Sequence, residues 1–452
     1  MNPSKYLQLL FIHIFIGILL YLFRSLSFVY FISIVAFFTI KLFGANASNK
    51  PYFAIYACCY IVGSEVMIRM TGGAVFYEAS KYLVIVFSLV GMFYRGFNIK
   101  AVSYIFYILF LIPAIYVTLY SVEGALNLRK AIAFNLSGPV CLGIAAIFCY
   151  GFKVNKIILN KLFLYLVLPL VTTLTYIILY NPDVARIATG TSSNFAASGG
   201  FGPNQVSTVL GLGMFIMTVR FFYFSKTRMS KIIDLVLLAL FSFRAISTFS
   251  RGGVFTAVIM IFLFIALMFK FSNRKVRTKI IVSTFVFLML AAFTWIYTSI
   301  QTQGFIDKRY ANQNSVGQVK SDVTTGRGVL FLNEIEEFKN NPFFGVGVGK
   351  IKDIRFQKTG VHAASHNEMS RIISEHGIFG ILSFIILLLA PLFLRIGLRN
   401  NIFFFSFYAF WFLTINHSSM RIAAPAFIYA LSLLHVVNEK PIIHRKQVIE
   451  QE

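Results

Sequence analysis

The sequence predicts an all-α integral membrane protein of about fourteen transmembrane helices, with twelve as the lower bound, and one large outer loop that contains short helices. Three observations predict this class. The 452-residue chain is 58% hydrophobic and 17% aromatic, with a mean hydropathy of +0.76, far more apolar than a soluble domain with a polar skin. Apolar runs long enough to span a bilayer recur along the whole chain. Basic residues gather in every second connection between those runs.

In chain order the apolar runs fall near 7–23, 26–43, 52–70, 80–94, 101–120, 131–151, 161–180, 205–223, 232–249, 253–270, 279–298, 377–396, 402–416 and 421–437. The first lacks a small-residue cleavage signature and is followed at once by the second, so it reads as a retained span and not as a signal peptide. The basic connections contain Lys41 and Lys50; Arg95 and Lys100; Lys153, Lys156 and Lys161; Lys226, Arg228 and Lys231; Lys270 through Lys279; Arg395 and Arg399; and Lys440, Arg445 and Lys446. This alternation puts the +25 net charge to work as a topology signal, with both termini inside, and no nucleic-acid partner is expected. Cys58, Cys59, Cys141 and Cys149 all fall inside apolar runs without metal-type spacing, so they read as small buried hydrophobes and not as disulfides or a zinc site.

The expected units are N-terminal spans at 1–180, an outer loop at 181–204, central spans at 205–298, a large outer loop at 299–376, C-terminal spans at 377–437 and an inner tail at 438–452. No internal repeat is visible, which weakens an inverted-repeat transporter. Loops of such length in compact proteins are usually functional, so chemistry is expected in the outer ones. Within the larger, Thr325 is the expected cap of a helix from Arg327 to Lys339, stopped by Asn341-Pro342. Leu330, Phe331, Ile335 and Phe338 form its apolar side, and Asn333, Glu336 and Glu337 its other side. Gly345, Gly347 and Gly349 then permit either a plain turn or the close approach of a ligand.

Several polar groups stand at or near the outer ends of spans. In "FSRGG", Arg251 reads either as a snorkelling residue or, with its paired glycines leaving room around the guanidinium, as a phosphate ligand. Arg327 stands at a helix N-terminus, where the macrodipole disfavours a cation unless an anion is bound beside it. In "ASHNEMSRIISEHGIFG", Ser365 or Asn367 caps a helix expected to run on into the span from Gly377, leaving His366 at the membrane surface. Glu368, Arg371 and Glu375 have the spacing of helical ion pairs, as do Glu65 and Arg69 inside a span. Asn204, Arg244, Arg129-Lys130 and the "NHSSMR" turn with Asn416, His417 and Arg421 add to an outer surface rich in cations and poor in acids. Such a surface suits an anionic ligand that enters from lipid.

The order "GGFGPNQVS", "SRGG", "GRGVLFLNEIEEFKNNPFFGVGVGK" and "SHNEMSRIISEHGIFG" resembles the O-antigen ligase and O-antigen polymerase superfamily of bacterial envelope glycosyltransferases, over about residues 199–400. The resemblance implies metal-independent, cofactor-free, inverting transfer from an undecaprenyl-diphosphate-linked oligosaccharide to a glycan acceptor, at the periplasmic face of the inner membrane. It makes His366 the catalytic residue toward the acceptor hydroxyl and Arg251 and Arg327 the diphosphate ligands, with Asn204, Asn367, Arg371 and Arg421 as candidate substrate contacts. The chain departs from the family where "NEMS" follows the histidine, a place that often carries an aromatic residue. The resemblance implies either a polymerase, with a chain-length regulator as a candidate partner, or a ligase that delivers the glycan to lipid A core or a protein. Ligases of this type have about two fewer spans, so the count of runs favours the polymerase. A flippase or transporter of lipid-linked glycan is the more distant alternative.

The residue types fit that chemistry independently. Diphosphate is a good leaving group whose growing charge fixed guanidiniums can stabilise, so no general acid is needed. Only the incoming hydroxyl needs help, which a histidine can give near neutral pH. A carboxylate pair of the glycosidase kind is not required.

Overall fold

The computed structural model describes residues 3–120, 128–322, 326–360, 365–397 and 401–437. Thr325, Arg399 and the tail 438–452 with Lys440, Arg445 and Lys446 lie outside the described residues. The first half of the chain forms α1 (Pro3–Leu22), α2 (Leu26–Phe43), α3 (Lys50–Thr71), α4 (Ala79–Arg95), α5 (Val102–Leu109), α6 (Ile112–Tyr120), α7 (Leu128–Cys149), α8 (Lys156–Tyr180), α9 (Val184–Ile187) and α10 (Pro203–Val219). The second half forms α11 (Arg228–Ser247), α12 (Arg251–Lys270), α13 (Arg274–Gln301), α14 (Phe305–Tyr310), α15 (Arg327–Asn340), α16 (Ile351–Thr359), α17 (Glu368–His376), α18 (Ile378–Gly397), α19 (Phe404–His417) and α20 (Ala423–Ser432). Among the described residues, β structure is confined to a two-stranded parallel pair, β1 (Lys153–Val154) with β2 (His435–Val436), and one isolated bridge.

The protein is therefore an all-α membrane protein, as its composition requires, because in hydrocarbon each backbone amide must find its partner within its own segment. Each of the fourteen apolar runs contains helix, the last of them only over α20 before β2, and among the described residues ten helices are long and apolar enough to cross a membrane. The remaining runs coincide with α4, α11, α19 and α20, which are shorter or more charged. Every residue of α20 is buried, so protein and not lipid solvates it and its ten residues need not match the bilayer thickness. The run 101–120 is split into α5 and α6: Pro113 has no amide hydrogen to donate to the preceding turn.

The core lies around α3, α8, α10 and α20. Helix α3 packs on α8 and α4, α10 on α12 and α11, and α20 on α7 and α19. All four cysteines are buried and unpaired there, as small hydrophobes. At the periphery, α13 exposes Phe285, Leu288, Met289 and Phe293, an apolar surface of the kind that faces lipid.

Much of the charge inside the bundle is paired, while Arg244, buried near the end of α11, donates to the Asn181 carbonyl (2.7 Å). Arg69 lies 2.6 Å from Glu65 and 3.6 Å from Glu78, which also pairs Lys81. Isolated charges at such depth are costly, and neutral groups of four relieve most of that cost. This cluster is tied to the far end of the chain: Arg69 Nη1 donates to the Arg421 carbonyl (2.7 Å), and the Ala423 amide donates to Glu65 Oε2 (2.6 Å).

Candidate active site

The turn between α11 and α12 begins with Phe249, a non-glycine residue in the left-handed region at φ 58°. Ser250 follows as the residue before α12, and its hydroxyl donates to Asn204 Oδ1 (2.7 Å) while receiving a bond from Ser207 (3.0 Å). Asn204 is thus an anchor for the Arg251 turn. The paired glycines do not serve to leave room around the guanidinium. A Cβ on Gly253 would lie 2.3 Å from the Ser207 carbonyl carbon, and one on Gly252 would lie 2.5 Å from the His417 ring. They let α12 start directly against α10 and α19, which puts Arg251 beside the His417–Arg421 turn.

Helix α15 begins at Arg327 as expected, with Leu330, Phe331, Ile335 and Phe338 half-buried and Glu336 exposed, but Glu337 of its expected polar side is buried. Glu334 and Glu337 are the buried residues, while Val329 and Leu332 are exposed. Arg355 of α16 donates to Glu334 (2.6 Å), Ser370 of α17 donates to the same carboxylate, and Lys358 pairs with Glu337. Helical periodicity alone placed Glu337 in solvent because it counts polar residues as exposed. Buried carboxylates with cationic partners break that rule.

Residues 345–349 pack the loop against α17 and α6. The Val346 amide donates to the Ser374 carbonyl (3.0 Å) and the Gly347 amide to the Glu375 carbonyl (3.1 Å). Gly345, Gly347 and Gly349 take φ of 73°, 91° and 78°. A Cβ at these positions would meet the Glu375 backbone, Thr118 and Asn135 at under 3 Å. Close approach is needed here, but the approaching group is this chain's own backbone.

Asn367 caps α17, its Oδ1 accepting from the Ser370 amide (3.2 Å) and its Nδ2 donating to Asn416 Oδ1 (3.0 Å). This helix does not run on into the next span. Gly377, at φ 61° and ψ −135°, separates α17 from α18, and a Cβ there would sit 2.5 Å from the Phe343 carbonyl oxygen. The expected ion pairs form: Arg371 is buried between Glu368 and Glu375, 2.7 Å from the latter, and also donates to the Asn135 carbonyl (3.1 Å). These two carboxylates hold the Arg371 guanidinium even more firmly protonated than usual, whereas burial pushes Glu375 up to about 7. His376 is buried and pushed down to about 3.

His366 lies just before this cap, half-buried, with Nδ1 buried and without a hydrogen-bond partner among the described residues. Burial lowers its proton affinity, and Arg421, Arg327, Arg355 and His417 lower it further, to about 4. Arg421 comes from across the site and donates to the Ser365 carbonyl (3.1 Å). Arg327 is likewise depressed by burial and then by Arg251 and Arg421. The structure thus gathers Arg251, Arg327, Arg421 and His366 from four separate stretches into one cationic region, with Asn204 and Asn367 as its supports and Arg371 buried behind it.

Arg309 and Arg355 of this region were not singled out by the sequence. Arg309 stands in the last turn of α14 and is depressed first by burial and then by Arg251 and Arg327. In "FIDKRY" it looks like one more polar loop residue, and only tertiary packing brings it to the site. Among the described residues no group of three or more His, Cys, Asp or Glu side chains is placed to share a metal ion.

What this arrangement can do chemically is bind a multiply charged anion beside a neutral imidazole able to accept a proton. No curated protein matches the chain. A family model described as O-antigen ligase matches residues 235–385, an interval that holds Arg251, Arg309, Arg327, His366 and the whole of α17 and leaves Asn204 and Arg421 outside it. This match supports the O-antigen ligase and polymerase superfamily for the chain.

Proposed function

We propose that the protein is a bacterial inner-membrane glycosyltransferase that joins undecaprenyl-diphosphate-linked oligosaccharide repeat units at the periplasmic face, an O-antigen or related surface-polysaccharide polymerase. The observation that carries the reading is the convergence of Arg327 and Arg421 on a neutral His366, with Arg251 in electrostatic range of Arg327. Three half-buried guanidiniums held in one region favour a ligand of more than one negative charge, and a diphosphate has it. Preorganised donors aimed at developing charge are usually the largest part of such a rate enhancement.

In the proposed step an acceptor hydroxyl attacks the anomeric carbon from the face opposite the diphosphate. The new carbon–oxygen bond forms as the bond to diphosphate breaks, its electron pair leaving with the phosphate oxygen. The hydroxyl proton passes to His366, which is uncharged at neutral pH and so free to take it. No metal is assigned a part in this step. The large outer loop, residues 299–376, supplies Arg327 and His366 and serves as the catalytic unit of the reading.

The second reading is a ligase, with the same donor and site but lipid A core or a protein as acceptor; the family description favours it by name. The polymerase reading rests on the fourteen apolar runs counted in the sequence; among the described residues ten helices are long and apolar enough to cross a membrane. Incubating the purified protein with a lipid-linked repeat unit alone separates the two. A ladder of longer chains supports the polymerase; reaction only after lipid A core is added replaces it with the ligase; movement of lipid-linked glycan across vesicles without any new bond replaces both with a flippase.

A further inference from the structure

Arg309 and the Arg251 turn hold each other. Arg309 Nε donates to the Phe249 carbonyl (3.1 Å), and Arg251 Nη1 donates to the Arg309 carbonyl (3.4 Å). The clasp therefore fastens the strained residue before the turn, and it fixes the direction of the Arg309 fork. Its two Nη nitrogens make no hydrogen bond among the described residues, and no carboxylate there pairs with it. The acid on its own helix, Asp307, is held by Trp295 Nε1 (3.0 Å) and by Ser299 on α13. A half-buried arginine with its Nε clasped, its Nη atoms uncommitted and two other guanidiniums in its electrostatic range is arranged for an anion.

We propose that Arg309 is a third guanidinium of the donor site, the one that meets the charge gained by the diphosphate as it leaves. The inference rests on the glycosyl-transfer reading above and deepens it. In the lipid-linked donor each phosphate is esterified and carries a single charge. When the bond to the anomeric carbon breaks, its electron pair stays on the terminal phosphate oxygen, which gains a further charge while the acceptor proton goes to His366. Arg251 and Arg327 suffice for the donor as it binds. Arg309 acts in the transition state and on the lipid diphosphate product, so its loss lowers kcat more than it raises KM.

The test compares wild type, Arg309→Gln and Arg309→Lys as purified full-length protein with a lipid-linked repeat unit, and measures inhibition by undecaprenyl diphosphate. Removal of a transition-state donor of this kind is expected to lower kcat about 10²-fold in Arg309→Gln, with KM changed less than about threefold and product inhibition weakened in step. Arg309→Lys keeps a cation and is expected to recover part of kcat. Wild-type kcat in Arg309→Gln, or a rise in KM with kcat unchanged, would overturn the inference. So would equal losses in both variants accompanied by a matching fall in thermal stability, which would reduce Arg309 to a structural clasp. If the wild type itself transfers no glycan to any acceptor, the underlying reading fails and this one with it.

Discussion

At the scale of single residues, the site depends on His366 remaining uncharged where an exposed histidine would be partly protonated. Its low proton affinity has a direct consequence for activity. A base must be unprotonated, so the acid limb of kcat/KM is expected near pH 4, the value of the free site, and not near the ordinary histidine value. Bound diphosphate offsets the surrounding guanidiniums and favours the imidazolium, so the acid limb of kcat is expected at higher pH than that of kcat/KM. A pH–rate profile of the wild type and of His366→Gln checks this, and an acid limb that survives unchanged in the variant would remove His366 as its source. The glycine of α12 that packs against α10 gives a second test. Gly253→Ala drives a methyl group into the Ser207 backbone, which cannot yield as a side chain would. The expected loss is about 3 kcal/mol, at the upper end for overpacking, read as thermal unfolding in detergent.

At the scale of elements, α17 is built as a buried strut, with Arg371 between Glu368 and Glu375. Removing Arg371 strands two buried carboxylates, so Arg371→Gln is expected to cost about 3–5 kcal/mol of stability. Asn367→Ala, which removes the cap, is expected to cost about 1 kcal/mol. Unfolding measured beside donor KM checks both: a substrate contact would raise KM without such losses. The helices, their order and the motif-bearing turns were legible in the sequence because hydropathy and capping chemistry are local. The ion pairs of α17 were legible for the same reason, being set by helical spacing. The burial of Glu334 and Glu337 on α15 was not, since they are buried only because α16 and α17 bring Arg355, Lys358 and Ser370 to them. The break at Gly377 was missed because a glycine inside an apolar run looks tolerable until the Phe343 carbonyl is packed against it. Arg309 has no local mark at all, and its place follows from the clasp with residue 249.

At the scale of the whole molecule, the N-terminal bundle reaches the site through α3. Glu65 and Arg69 grip the backbone on both sides of Ile422, and that turn in turn grips α17, where the Met420 amide donates to Glu368 (3.3 Å), and the Ser365 carbonyl beside His366. Arg69→Met leaves Glu65 buried without its partner and loosens Arg421. Activity is expected to fall at least about tenfold, with a stability loss of about 3 kcal/mol that Glu65→Gln, added to it, partly reverses. Thermal unfolding and transfer rate of the single and double variants check this. The central claim remains that this cationic site transfers a glycan from a lipid diphosphate with His366 taking the proton. Its most direct test is glycan extension by His366→Ala, folded and membrane-inserted, with a lipid-linked repeat unit as substrate. Loss of extension by about 10² or more with donor binding retained is expected; full extension by that variant would remove His366 as the proton acceptor.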